Sequence, residues 1–192
     1  MRTFDFGTGR ILIAMPPILA LLFLALANIK KPQQCHDIEY GPNLQEKYKH
    51  LSLTELDTLV KTLQAKALQE DAEAEAELGE FYQTGYDVPK DIGKALQWYR
   101  KAADQGNAKG LLNIGASYLN SDSCGWQEYV DHSVNAKTEA YFWYSLAVAR
   151  DSKYNNTWSE HKFSEGLTSE QIATVKERVE GWKPISSHVV RQ

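Results

Sequence analysis

The sequence predicts an all-α fold: an α/α solenoid of helix-turn-helix repeats with a capping helix at each end. Three observations lead there. Two blocks of the chain recur, each at its own constant offset. The first copy of these blocks is bounded by helix start and stop signals. The aliphatic and aromatic content of the 192 residues is ordinary, enough for one modest core without staples.

The elements follow in chain order. Ile11 to Ala27 is a 17-residue stretch without a charge, behind a head carrying Arg2 and Arg10. As a helix it would reach about 25 Å, short of a ~30 Å hydrocarbon core. Pro16 and Pro17 break it early, and Ala25-Leu26-Ala27 supplies the small-x-small pattern of a signal-peptidase site. Residues 1–27 therefore read as a signal peptide or as an uncleaved membrane anchor. Either reading places the body outside the cytoplasm, exported to a periplasm or held at its membrane. Lys30 and Lys31 follow the run directly, so the flanking charges do not set an orientation.

Residues 28–51 are polar, without apolar periodicity, and read as an irregular lead-in. A capping helix is predicted over 52–71. Ser52 and Glu55 form a capping box, Leu51 staples against Leu56, and Leu56, Leu59, Val60, Leu63 and Ala67 recur at helical spacing. Next comes the repeat. Ala72, Leu78-Gly79 and Tyr82 reappear 36 residues later as Ala108, Ile114-Gly115 and Tyr118. Ala95, Trp98-Tyr99 and Ala102 reappear 45 later as Ala140, Trp143-Tyr144 and Ala147. The first repeat spans 72–107 and the second 108–152, with an insertion of 9 residues near 121–136. Gly85 and Gly106 end the helices of the first repeat, since glycine takes a left-handed cap at no steric cost. Small residues such as Gly79, Ala95 and Ala102 let helix axes approach, while Tyr82, Trp98 and Tyr99 fill the space beside them. A second capping helix is predicted over 167–183, with Thr168 and Gln171 as its box and Pro184 as its stop.

The run Leu78-Gly79-x-x-Tyr82-x-x-Gly85, then Val88-Pro89-x-Asp91-x-x-Lys94-Ala95-x-x-Trp98-Tyr99-x-Lys101-Ala102-Ala103-x-x-Gly106, closely resembles the Sel-one-like repeat, a tetratricopeptide-like helical module. The second copy resembles it at Ile114-Gly115-x-x-Tyr118 and Glu139-Ala140-x-x-Trp143-Tyr144. It departs where the insertion replaces a short connection, and where Asp151 stands in place of Gly106. The resemblance implies a non-catalytic scaffold or adaptor that binds a protein partner, an assembly or regulatory factor of a bacterial envelope. A concave surface formed by the first helix of each pair would then be lined by Glu77, Phe81, Thr84, Asn113 and Ser117. Trp126 and Tyr129 lie in the insertion, outside the repeat pattern, and are further candidates as interface anchors.

The remaining chemistry is sparse. Net charge is −4. Arg2, Arg10 and Asp5 make the first 27 residues +1, which leaves the body at −5. An acidic body without clustered Lys and Arg argues against a nucleic-acid footprint. In an exported chain Cys35 and Cys124 can form one bridge, closing a loop worth ~4 kcal/mol in the chain-entropy model; two free thiols are the alternative. Neither has a neighbour at zinc-ligand spacing, the five histidines are scattered, and no cofactor is expected. The Asp131-His132 pair and the acidic run Glu70–Glu77 read as solvated groups. Some cysteine-rich relatives are linked to penicillin-type ligands, but those carry a cysteine pair in every repeat. Here Cys124 is the one cysteine within either repeat, so a peptidoglycan- or β-lactam-directed hydrolase is the lesser alternative to a scaffold or an anchored structural subunit.

Overall fold

The computed structural model describes residues 44–120 and 126–185. By contact the chain divides into Met1–Gln34 and Cys35–Gln192, and every described residue belongs to the second unit. The expectations for the apolar stretch 11–27, for Cys35 and for Cys124 fall outside the described residues.

Eight α-helices and two short 3₁₀ turns, with no strand, make up the described residues. The helices are α1 Leu44–Tyr48, α2 Leu53–Ala67, α3 Ala72–Thr84 and α4 Ile92–Asp104. After them come α5 Ala108–Leu119, α6 Ala136–Arg150, α7 Thr157–Ser164 and α8 Ser169–Gly181. The 3₁₀ turns are Trp126–Glu128 and Ser152–Tyr154. From α2 to α7 each helix packs on the next, and α8 packs on α6. That chain of nearest-neighbour contacts is the all-α solenoid expected from the repeat.

Each helix from α2 onward starts on a side-chain cap. Both capping boxes form: Ser52 N–H donates to Glu55 Oε2 at 2.8 Å, and Thr168 N–H donates to Gln171 Oε1 at 2.8 Å. Asp71, Asp91, Asn107, Asn135 and Asn156 accept from backbone N–H groups two or three residues on. A cap of this kind is worth about 1 kcal/mol, since it satisfies donors that the helix itself leaves open. Gly85 and Gly106 take φ of +76° and +81°, which lets the chain turn sharply after α3 and α4.

Two corrections to the sequence reading concern elements. The lead-in 28–51 contains α1, too short and polar to show a period; its Leu44 is buried on α2 and α3 side chains. The segment between the second repeat and the terminal capping helix, to which the sequence pattern assigned no element, contains α7. Its register had been hidden by its length. Counting from the caps Asp71, Asn107 and Asn156, the third residue is Ala74, Gly110 or Ser159, and the seventh is Leu78, Ile114 or Phe163. All six are buried. The second helices agree: Leu96-Tyr99-Ala103, Tyr141-Tyr144-Val148 and Ile172-Val175-Val179 share one spacing and one core. Helices α7 and α8 thus echo the positional spacing of the earlier helices, and both pack on α6.

The core lies in two clusters. One joins α1, α2 and α3 around Leu56, Val60, Leu63 and Phe81, and the other runs through α4 to α8. Tyr82 packs against both. In the larger cluster Phe163 stacks on Tyr144, rings 4.5 Å apart and 10° from parallel, which fixes α7 to α6. Arg178 fixes α8 to α6, pairing with Glu139 at 2.7 Å while lying over the Phe142 ring.

Close approach is where substitution should be felt most. A Cβ on Gly110 would stand 2.8 Å from Ala102 Cβ and 2.9 Å from both Ala103 N and Tyr99 O, atoms that cannot swing aside. Gly181, at the end of α8, has open space around it. Gly110→Ala is therefore expected to lower stability by about 1–3 kcal/mol despite alanine's better helix propensity. Gly181→Ala should be neutral or raise it by up to about 0.5 kcal/mol. Urea midpoints of the two variants check this, and equal shifts would refute the packing argument.

Candidate functional site

On α3 the spacing of Glu73, Glu77, Glu80 and Thr84 puts these side chains along one stripe of the helix. Lys109 and Asn113 occupy the matching stripe of α5. The two stripes are tied together. Lys109 pairs with Glu80 at 2.8 Å, and Asn107 Nδ2 donates to Glu73 Oε2 at 3.0 Å. From the other side, Lys47 and the Tyr48 hydroxyl of α1 both donate to Glu77. Burial opposes ionisation of Glu77, yet these two bonds hold its carboxyl below the usual range. Glu80 moves the other way, because burial outweighs the attraction of Lys109. The Tyr48 phenol is pushed up by its own burial and by Glu77.

The predicted surface residues therefore separate. Phe81 and Ser117 face the interior and are fully buried, which corrects their assignment to an exposed surface. Phe81 is sandwiched by the Tyr48 and Tyr86 rings, and the Ser117 hydroxyl donates to Ile114 O at 2.6 Å. A one-residue error on a 100° helical step explains both, because the outer stripe runs through 80 and 84, not 81. Glu77 is held by α1. Thr84 is exposed and Asn113 half-buried, so these two remain available. Lys47, Tyr48, Glu73, Glu80 and Lys109 were missed; the period of acids on α3 was the signal that could have found two of the five, Glu73 and Glu80.

In the insertion, Trp126 is buried in the larger core and does not stand out as an anchor. Tyr129 is 41 % exposed, but its ring lies where a Gly93 Cβ would be, and its carbonyl accepts from Arg100 Nη2 at 3.4 Å. The insertion thus folds back on α4. Asp131 accepts from the Ser133 amide and hydroxyl at 2.8 and 2.6 Å. That carboxylate is engaged by Ser133 and is not orienting His132. No group of three or more His, Cys, Asp or Glu suited to a metal occurs among the described residues.

The acidic run also needs correcting. Glu75 does not face water: it is 2 % exposed, and its Oε2 accepts from Gln105 Nε2 at 2.7 Å. Burial pushes its carboxyl up to about 7, with Lys101 and Gln105 pulling the other way.

With the paired helices and their shared face in view, comparison with known families is decisive. The Sel1 repeat family model matches residues 72–107 and 131–152. The chain is a Sel1-like repeat protein. No curated protein and no solved structure matches it. The family match takes in α3 and α4 whole and, in the second repeat, α6. Helix α5 lies outside the matched residues, yet its cap and buried positions follow α3 step for step. Sel1 repeats are a protein-protein interaction scaffold.

In this Sel1-like repeat protein Glu75 gives a pH test. Its folded-state value lies above the unfolded 4.5, so the folded state binds the extra proton. Stability should fall as pH rises from about 4.5 to 7, then level off. Glu75→Gln keeps a partner for Gln105 without the buried charge. It is expected to raise stability at pH 8 by about 1–2 kcal/mol and to change little at pH 4. Chemical denaturation at the two pH values checks the sign; a gain confined to pH 4 would refute it.

Proposed function

We propose that the chain is an exported, non-catalytic scaffold that holds a protein partner against the α3–α5 face, serving assembly or regulation in a bacterial envelope. The observation that carries this is the Sel1 repeat itself, whose paired helices leave Thr84 and Asn113 on one accessible face. The uncharged stretch 11–27, with its small-x-small end, supports export. The same stretch, left uncleaved, favours a second reading: a membrane-anchored subunit with its repeats outside the cytoplasm. Neither reading requires a cofactor or nucleic acid.

The reading is tested with a photoreactive residue placed at Thr84 or Asn113, and at the exposed Gln97 as a control, in the native host. A discrete adduct at Thr84 and Asn113 but not Gln97 is expected. Equal adducts at all three, or none, would count against the face. Sequencing the amino terminus of the mature chain then separates the two forms: Asn28 first means a cleaved signal, Met1 an anchor.

A further inference from the structure

Helices α6, α7 and α8 enclose an open cleft of about 430 Å³. One register position sets it apart from the second repeat. The fourth residue after the cap is Leu111 in the second repeat, fully buried and filling the gap between helices. On α7 the same position is Glu160, whose carboxylate lines the opening, whereas Glu75, at that position of the first repeat, is buried against Gln105.

The cleft wall is built from α6. Tyr141 and Tyr144 stand with ring centroids 6.2 Å apart, and Val148 continues the wall one turn on. Helix α8 contributes Val179, Glu180 and Lys176. Glu160 Oε1 accepts from the Tyr141 hydroxyl at 3.0 Å. Beside it, the Tyr144 hydroxyl is buried with no hydrogen-bond partner, though the residue is only 1 % exposed. Its phenol is pushed up by burial first and then by the adjacent Glu160 carboxylate, whose approach falls short of hydrogen-bond geometry. An unpartnered buried hydroxyl is destabilising, and Tyr144 lines a cleft large enough for a polar guest.

Charge identifies the guest. Glu160 and Glu180 face one ammonium, Lys176, and neither Lys176 nor Glu180 forms an ion pair among the described residues. The cleft is net negative. Because no third acid, cysteine or histidine completes a metal-holding group there, an organic cation fits better than a metal ion.

We propose that this cleft binds an arginine residue presented by an extended segment of a partner protein. The guanidinium donates to Glu160 and Glu180, with the Tyr144 oxygen as a further acceptor. Its planar fork matches several acceptors at once and stacks on tyrosine, which a lysine ammonium does not. The aliphatic stem lies along Val148 and Val179, and Lys176 and Asn155 reach the backbone carbonyls that flank the arginine. The inference rests on the protein-binding reading but uses a different face from Thr84 and Asn113, so the two can fail separately.

The test titrates the full-length, isotope-labelled chain with blocked tripeptides, following the amides of Ser145, Asn155 and Lys176. A central arginine should give saturable shifts. Lysine should bind at least fivefold more weakly, and citrulline or glutamate should not bind. Glu160→Gln combined with Glu180→Gln should weaken the arginine peptide at least tenfold. Tyr144→Phe should weaken it a few-fold while leaving the melting temperature unchanged or higher, which a purely structural hydroxyl would not do. Equal binding of citrulline, full affinity in the double variant, or a Tyr144→Phe that lowers melting without touching affinity would each overturn the proposal. Tighter binding of free arginine than of the blocked peptide would likewise overturn it, since the guest would then be an amino acid and not a partner's side chain.

Discussion

Everything in this solenoid depends on how closely neighbouring helices can lie. Gly110 rests on the backbone of α4, and Gly115 sits within 3.0–3.2 Å of α6 backbone atoms when measured from its would-be Cβ. The Tyr99 ring occupies the space a Gly79 side chain would need. These contacts set the interaxial distance, and the distance decides which large side chains fit beside them. Tyr99 and Tyr144 fill the resulting spaces at equivalent positions of the two second helices. An array built this way has no separate core for each repeat. Each helix pair borrows its inner wall from the next, and the small residues make the loan possible.

Polar groups are handled by place, not by number. Caps consume backbone donors at the start of each helix from α2 onward, so side chains such as Asp71 and Asn107 are structural although they look like a polar surface. Along α3 the acids diverge within two turns: Glu73 bonds Asn107, Glu75 is buried against Gln105, Glu77 is captured by α1, and Glu80 pairs with Lys109. One stretch of similar letters therefore holds groups above and below their usual ionisation range. The helical step, not the composition, sorts them.

That sorting also marks what was legible in the sequence. The helix pairs were visible because Leu78-Gly79, Tyr82 and Trp98-Tyr99 carry volume constraints that recur at fixed offsets. Both capping boxes were visible because they are local. The face was half legible. Thr84 lies where the spacing puts it, but Phe81 and Ser117 turn inward, and a linear pattern alone does not tell one side of a 100° step from the next. Helix α7 stayed hidden because its eight residues hold one large buried side chain, Phe163, too little for a period to appear. The clustering of Tyr144, Glu160 and Glu180 comes from three helices meeting, and no local signal announces it.

The tail after α8 has a consequence of another kind. Trp182 lies under the Arg150 guanidinium, and the Pro184 ring sits against Gly106, in the turn after the first repeat. Linear repeat arrays fray from their ends, because a terminal unit has only one neighbour to lose. Here residues 182–184 reach back past a whole repeat, so peeling α8 away also uncovers the turn between α4 and α5. Amide exchange across residues 104–182 should then be lost in one cooperative step, where an open array would shed its protection pair by pair.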